Sequence, residues 1–402
     1  MHTNENDPPT SRSVTWRELT ADLVWPQLLR SVRLASRPSR LGVAFVVVVV
    51  MMGAGTLFDW VRGPVLTTDT LLPRIAIATD DAPTHGLFEA TVATIAEKWT
   101  HVTTAVVSGD AVNAGLELRD LILTLPGELA TKHTVSAGIL TLIAITLWCI
   151  GGGTLCRMVA REIGSAERIT STQALTFVLP RWRRYLGALL GPVVAIALVV
   201  FAMALGGFVL LRLPALDIVG GALYGLFLFG GACIVFLSVG VALGGALLVP
   251  AVSVDAEDAF DAVQRAYAYV LAKPLRLLLY ALTLALVGSI AFFIARAAVA
   301  ATLDTTSDAA FAWTGGRESL ALGSDALRAT GEAPAIGDDV GASAKVSAEL
   351  IRLWEHVAVA LLAAFAVSFL ASASTCLYLA MRKVCDGEDY ADITPNRSIA
   401  DR

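Results

Sequence analysis

The chain has 402 residues, 56% of them hydrophobic and 16% charged. A water-soluble globular chain carries about a quarter charged residues, so this composition excludes one and points to a polytopic membrane protein. The 30 Lys and Arg against 35 Asp and Glu leave no basic footprint for nucleic acid, and 5 His and 5 Cys are little material for a metal cluster or a disulfide framework.

A spanning helix needs about 20 mainly apolar residues. In chain order, the stretches Leu41 to Phe58, Thr134 to Cys156, Leu186 to Leu211, Ile218 to Val249, Leu277 to Ala295 and Val357 to Met381 qualify. The expected fold is all-α, an integral bundle of six transmembrane helices. Residues 1–40 form an N-terminal segment with an amphipathic helix, 41–381 the membrane domain, and 382–402 an acidic tail. Gly53-Ala54-Gly55 resembles a cleavage site, but 40 residues precede the first apolar run, whereas a secretory basic region is short. The run reads as a retained anchor. The fourth stretch is too long for one straight span, and its glycines favour a tilt or a bend.

Charge sets the expected orientation. Arg30, Arg33, Arg37 and Arg40 precede the first span. Arg157, Arg161, Arg168, Arg181, Arg183 and Arg184 fill the link between the second and third. Arg265, Lys273 and Arg276 separate the fourth and fifth, and Arg382 and Lys383 follow the sixth. Positive charge beside a membrane stays cytoplasmic, so both termini are expected inside a bacterial cytoplasmic membrane. Between their ends the stretches hold no Asp, Glu, Lys, Arg or His. That argues against a proton-coupled transporter and leaves open a carrier built on backbone carbonyls.

The outer links 61–133 and 296–355 are long and acidic, whereas Arg212 to Asp217 is a tight turn holding Pro214. Phe88, Val92, Ile95, Trp99, Val102 and Val106 recur at helical spacing. They predict an amphipathic helix over the bundle or on the membrane surface. The segment Thr314 to Ala344 is rich in Gly, Ala and Asp and reads as a mobile loop. From Lys345 the apolar pattern resumes toward the sixth span.

An internal repeat precedes the first, third and fifth spans. Leu28 to Arg33 is followed by Arg37-Pro38-Ser39-Arg40, Gln173 to Phe177 by Pro180-Arg181-Trp182-Arg183-Arg184, and Val263 to Tyr267 by Lys273-Pro274-Leu275-Arg276. Each is a short amphipathic segment, a proline, basic residues and an outgoing span. Thr170 and Gln173 have capping-box spacing. Asp255, Glu257, Asp258 and Asp261 suit a helix start, and Phe260, Val263, Tyr267 and Val270 form one apolar stripe. Proline ends each lead helix. The expectation is three hairpins, each led by a helix along the inner leaflet. Arg37, Arg40, Arg181, Arg183, Arg184, Lys273 and Arg276 are the candidates for lipid headgroups, with Trp182, Tyr185 and Tyr280 at the interface.

The run from Val249-Pro250 through Asp255-Ala256-Glu257-Asp258-Ala259-Phe260 to Pro274 resembles an element of bacterial membrane proteins, including the membrane domain attached to some glycerophosphoryl diester phosphodiesterases. The ending Tyr378 to Gly387 is similar to endings of planctomycete membrane proteins. The resemblance implies a helical membrane domain; with no phosphodiesterase domain in the sequence, that activity is not implied.

Gly221 with Gly225, Gly240 with Gly244, and Ser368, Ser372 and Thr375 would either pack neighbouring helices or line a groove between the fourth and sixth spans. His85, His101, His133 and His356 fall on the outer side, where Asp80, Asp81 or Glu355 could join them, but no short ligand spacing supports a metal. Cys149, Cys156, Cys233 and Cys376 lie in spans and Cys385 beside the membrane, so no outer disulfide is expected, and Cys385 is a candidate for acylation. Gly151-Gly152-Gly153 lacks the lysine and strand of a phosphate loop. No catalytic set and no cofactor are expected. The functional expectation is a non-enzymatic scaffold or assembly partner that meets lipid and a second copy or another membrane protein. The alternative is a carrier for a lipid or apolar solute.

Overall fold

The computed structural model describes residues 28–63, 86–165, 167–212, 216–255, 258–314, 320–327 and 342–388, and among these there are helices and turns but no strand. A short lead helix α1 (Arg30–Ala35) precedes α2 (Pro38–Arg62). On the expected outer side follow α3 (Leu87–Ser108), α4 (Ala111–Arg119) and α5 (Leu125–Lys132). The second span is α6 (Thr134–Leu147) joined by a π-helical turn to α7 (Gly153–Gly164). Next come a second lead helix α8 (Ser171–Val178), α9 (Trp182–Arg212), a short α10 (Leu216–Ala222) and α11 (Tyr224–Asp255). The third lead helix α12 (Ala259–Ala272) precedes α13 (Pro274–Phe311), and α14 (Ala342–Cys385) closes the described chain. Six helical stretches are long and apolar enough to cross a membrane: α2, α6–α7, α8–α9, α11, α13 and α14.

The second spans of the three hairpins form the centre. α7, α11 and α14 pack on one another at one end of the bundle, and residues 151–160, 247–254 and 371–382 are buried without interruption there. A helix buried all round is a central one. The first spans α2, α9 and α13 pack against this trio. Farther out the hairpin α9–α11 exposes Leu198, Phe201, Leu205, Phe208, Leu226 and Phe229, as a lipid-facing surface does.

Each lead helix packs on the second span that precedes it: α8 on α7, α12 on α11, and α1 on α14, which closes the cycle. The expected capping box forms, with Thr170 Oγ1 accepting from Gln173 N and Gln173 Oε1 from Thr170 N. Arg37 and Lys273 take non-helical backbone angles, and Pro38 and Pro274 then open α2 and α13. This follows from the steric restriction before proline. The second elbow differs: Leu179 stays helical and the chain passes through a 3-10 turn, Leu179–Arg181, into α9.

Several expectations need correction. The fifth span is a 38-residue helix that extends past the membrane run, so residues 296–311 belong to a helix and not to a loop, while the pattern resuming at Lys345 runs unbroken into the sixth span, as expected, in a 44-residue helix. Within the expected mobile loop, residues 320–327 carry a 3-10 turn. Leu322 N and Gly323 N donate to the buried Glu355 carboxylate at 2.8–3.0 Å, and Ser324 N donates to Asp304 at 2.7 Å. The bend expected of the fourth stretch falls at Leu223, between α10 and α11. The apolar stripe of α12 is misplaced: Phe260 is exposed, while Ala262, Ala266 and Tyr269 are buried with Val270. Ile95 is likewise exposed on α3, although Phe88 and Val102 are buried and Trp99 meets Phe292 edge-on. The helix packs over the bundle, and Asp59 at the end of α2 caps it by accepting from Phe88 N and Glu89 N at 3.0 Å. Tyr185 and Tyr280, expected at the interface, are buried, whereas Trp182 is exposed. The Arg212 to Asp217 turn with Pro214 lies largely outside the described residues, as do most of the N-terminal segment and the tail.

The glycines sort themselves by contact. Gly240 lies against the ring of Tyr267, and a Cβ on Gly244 would sit 3.1 Å from Val270, so both pack on α12. Gly221 and Gly225 face open space. Gly240→Ala should therefore lower stability by about 1–3 kcal/mol, the usual cost of overpacking. Gly225→Ala should be neutral or stabilising by up to about 1 kcal/mol, the helix preference of Ala. Thermal unfolding of the two variants in one detergent checks the contrast.

Candidate functional site

The apolar packing of α7, α11 and α14 encloses a polar knot. Arg157 of α7 is fully buried; its Nη1 donates to the carbonyls of Ser253 at 2.7 Å and Val254 at 3.5 Å. Its guanidinium stacks 3.8 Å from the Phe177 ring centre on α8, and Arg181 lies 4.1 Å from the same ring, a cation–π arrangement. Ser253 Oγ lies 2.9 Å from the Val249 carbonyl, 3.3 Å from that of Gly153 and 3.2 Å from the Tyr185 hydroxyl. Pro250 fits inside α11, where its missing N–H frees a carbonyl one turn earlier.

At the foot of α11, the Asp255 carboxylate meets Arg382 of α14 at 3.1 Å and Arg265 of α12 at 3.4 Å, and accepts from the Tyr378 hydroxyl. Arg382 also pairs with Glu388, and Tyr269 donates to Asp386. Burial, reinforced by the charge of Asp386, raises the pKa of the Tyr269 phenol above its usual value. Lys273 at the third elbow donates to the Val384 carbonyl at 2.5 Å. A second knot joins the first elbow to α7. Arg40 is buried, donates to the Leu34 carbonyl at 2.6 Å and to that of Met158 at 3.4 Å, and shares Glu162 with Arg37. Chemically these are locks, in which guanidinium groups meet carboxylates and backbone carbonyls of other helices and fix helix register.

The lipid-headgroup candidates divide accordingly. Arg40 is an internal group and Lys273 is tied to α14, while Arg181 stacks on Phe177 and Arg37 pairs with Glu162. Arg184 lies 3.3 Å from Asp258, Arg183 is 5.8 Å from the Trp182 ring, and Arg276 is exposed. Ser368 donates to the Ala35 carbonyl of α1 at 2.8 Å, Thr375 to its own helix at Ala371, and Ser372 is buried. With Gly240 and Gly244 covered by α12, these residues do not line a groove between the fourth and sixth spans. Gly151 receives Val47, and a Cβ on Gly153 would sit 3.0 Å from the Tyr185 ring, so the glycine triplet is a packing surface. Sequence reasoning missed Glu162, Asp255, Arg157 and Arg382 as a buried set. The available signal was Arg157 inside the apolar run Leu155-Cys156 to Met158-Val159-Ala160, and Arg382 after Leu379-Ala380-Met381.

On the other side, Lys98 of α3 holds Glu117 of α4 at 2.7 Å and Asp120 at 3.5 Å, with His101 3.5 Å from Glu117. Against some desolvation, the hydrogen bond and charge of Glu117 keep the Lys98 ammonium above its usual pKa, while the Lys98 hydrogen bond holds Glu117 below the carboxylate norm. His356 Nδ1 lies 2.5 Å from the Arg352 carbonyl, Glu355 is engaged by the 3-10 turn, and His85, Asp80 and Asp81 lie outside the described residues. Among the described residues no three His, Cys, Asp or Glu group as metal ligands. All five cysteines are free, and Cys156 Sγ lies 3.6 Å from the Ala371 carbonyl of α14. No protein-family model matches the chain, and neither curated proteins nor solved structures give a significant match.

Breaking the Asp255 lock should be costly. Asp255→Asn leaves Arg382 buried without its full counter-charge and should lower stability by about 3–5 kcal/mol. Adding Arg382→Met to it should cost less than the sum of the singles, a coupling read by a double-mutant cycle of thermal stability. The Glu117 contribution, whose folded pKa is depressed, is present above the unfolded value and disappears as pH falls through the folded one. Hydrogen-exchange protection of α4, corrected for intrinsic rate, should therefore hold at neutral pH and fall below about pH 4. In Glu117→Gln that step should be absent.

Proposed function

We propose that this chain is a non-enzymatic scaffold or assembly partner of a bacterial cytoplasmic membrane, with both termini inside. The observation that carries this reading is the closure of α7, α11 and α14 around charges held by partners on other helices, Asp255 by Arg382 and Arg157 by the Ser253 carbonyl. Such a core holds a fixed shape and spends its ionisable groups on holding it. The elbows support the orientation, because Arg37, Arg40, Arg181, Arg184 and Lys273 gather at the end where the central helices converge. The α9–α11 hairpin, apolar on its outer surface with Gly221 and Gly225 open, supplies the face for a second copy or a membrane partner.

A second reading, a carrier for a lipid or apolar solute, is favoured by one observation. An open apolar groove of about 690 Å³ lies between α1, α13 and α14. Mass spectrometry of the protein extracted from its own membrane in native lipid discs separates the readings. The scaffold predicts a stoichiometric second copy or protein partner that is lost in Gly225→Leu. A monomer accompanied only by lipid would overturn it.

A further inference from the structure

We infer that the groove between α1, α13 and α14 is a binding site for one anionic phospholipid, its acyl chain in the groove and its phosphate at the first elbow. This deepens the carrier reading by naming a ligand class, yet it holds equally for a lipid that never leaves.

The walls and floor include Val32, Ser36, Ala291, Ala295, Leu361 and Phe365, and Ser36 is the only polar residue in the lining. Its hydroxyl is satisfied by the Val32 carbonyl at 2.8 Å, so the interior offers an occupant dispersion contacts and nothing polar. Along α13 the lining runs from Val287 to Val299, which at about 1.5 Å per residue is about 18 Å. That is close to half of an apolar layer about 30 Å thick, a length that an extended acyl chain can follow. The small Ala291, Ala295 and Ala298 hollow the helix surface at successive turns, between the bulkier Ile290, Ile294 and Phe365. The groove opens among the exposed Ile290, Phe293, Ile294 and Leu361, so an occupant arrives from the bilayer rather than from water.

Charge chooses among lipids. The elbow end of the groove, at Val32, Ser36 and Leu41, shares α1 with Arg30 and Arg33, both exposed. Arg37 and Arg40 follow, and they already take both oxygens of Glu162. Among the described residues, four guanidinium groups against that carboxylate leave the elbow positive, which matches a phosphate with no compensating cation in its headgroup.

The test reconstitutes the full chain in discs of equal phosphatidylglycerol and phosphatidylcholine, then reads retained lipid by native mass spectrometry. The wild type should keep one phosphatidylglycerol. Ala291→Trp, which fills the groove, should lose it, while Ala285→Trp, lipid-facing on the same helix but outside the lining, should keep it. Arg33→Ser should reduce the preference for phosphatidylglycerol about fivefold, the usual weight of one basic residue at an anionic surface. Should Ala291→Trp fail to fold, Ala295→Leu carries the same comparison. Equal retention in wild type and Ala291→Trp, or equal retention of the two lipids, overturns the assignment. So does a second copy of the chain displaced by Ala291→Trp. Lipid retained but never transferred between vesicles sustains this inference and sinks the carrier reading alone.

Discussion

Arg157, Asp255 and Arg382 stand on three different helices and are all nearly or wholly withdrawn from solvent. A buried charge without partners costs several kcal/mol, and here the partners lie on other helices except for Glu388, just past the end of α14. α7 therefore finds its carbonyl acceptors only when α11 is in place, and α11 finds its cations only when α12 and α14 are. The remaining architecture is conditional on this mutual dependence. Apolar attraction between helices is weak inside a bilayer, so directional polar contacts at one end are what set helix order and register.

The lead helices serve that same end. Each lies on the second span before it and, by its elbow, starts the next first span close to the central trio. Small residues make the approach possible where it is tightest: Gly240 and Gly244 admit Tyr267 and Val270, and Gly288 admits Phe369. Away from this end α9 and α11 show large apolar side chains on their outer surfaces. The contrast makes physical sense. One end is specified by charge and close packing, and the other is left to lipid.

Much of this was legible in the amino-acid order. Long apolar runs, the Thr170–Gln173 box, Pro38 and Pro274 at helix starts, and the amphipathic face around Phe88 and Val102 are local signals, and local geometry honours them. What escaped was the direction taken by residues at helix ends. Arg40 and Arg276 are both basic residues just after an elbow proline, yet one is buried against Glu162 and the other exposed. Asp255 belongs by sequence to an acidic cluster that starts α12, but it ends α11 and points into the knot. Such choices depend on neighbours more than a hundred residues away, which periodicity does not encode. Gly240 pairs with a lead helix rather than with the sixth span, a packing choice that its spacing to Gly244 does not encode either.

The end away from the knot follows a different logic, with carboxylates capping backbone groups: Asp59 on α3, and Glu355 and Asp304 on the 3-10 turn. These contacts order the outer connections without depending on the central knot. The central claim, that α7 and α14 meet at the buried end, is tested most directly by oxidative cross-linking of Cys156 with Ser374→Cys. Their side chains lie 3.9 Å apart, and Cys149, Cys233, Cys376 and Cys385 would be replaced by Ala. The account predicts an intramolecular disulfide formed rapidly in membranes before any detergent is added. Two reduced thiols that remain unlinked in folded protein would contradict it.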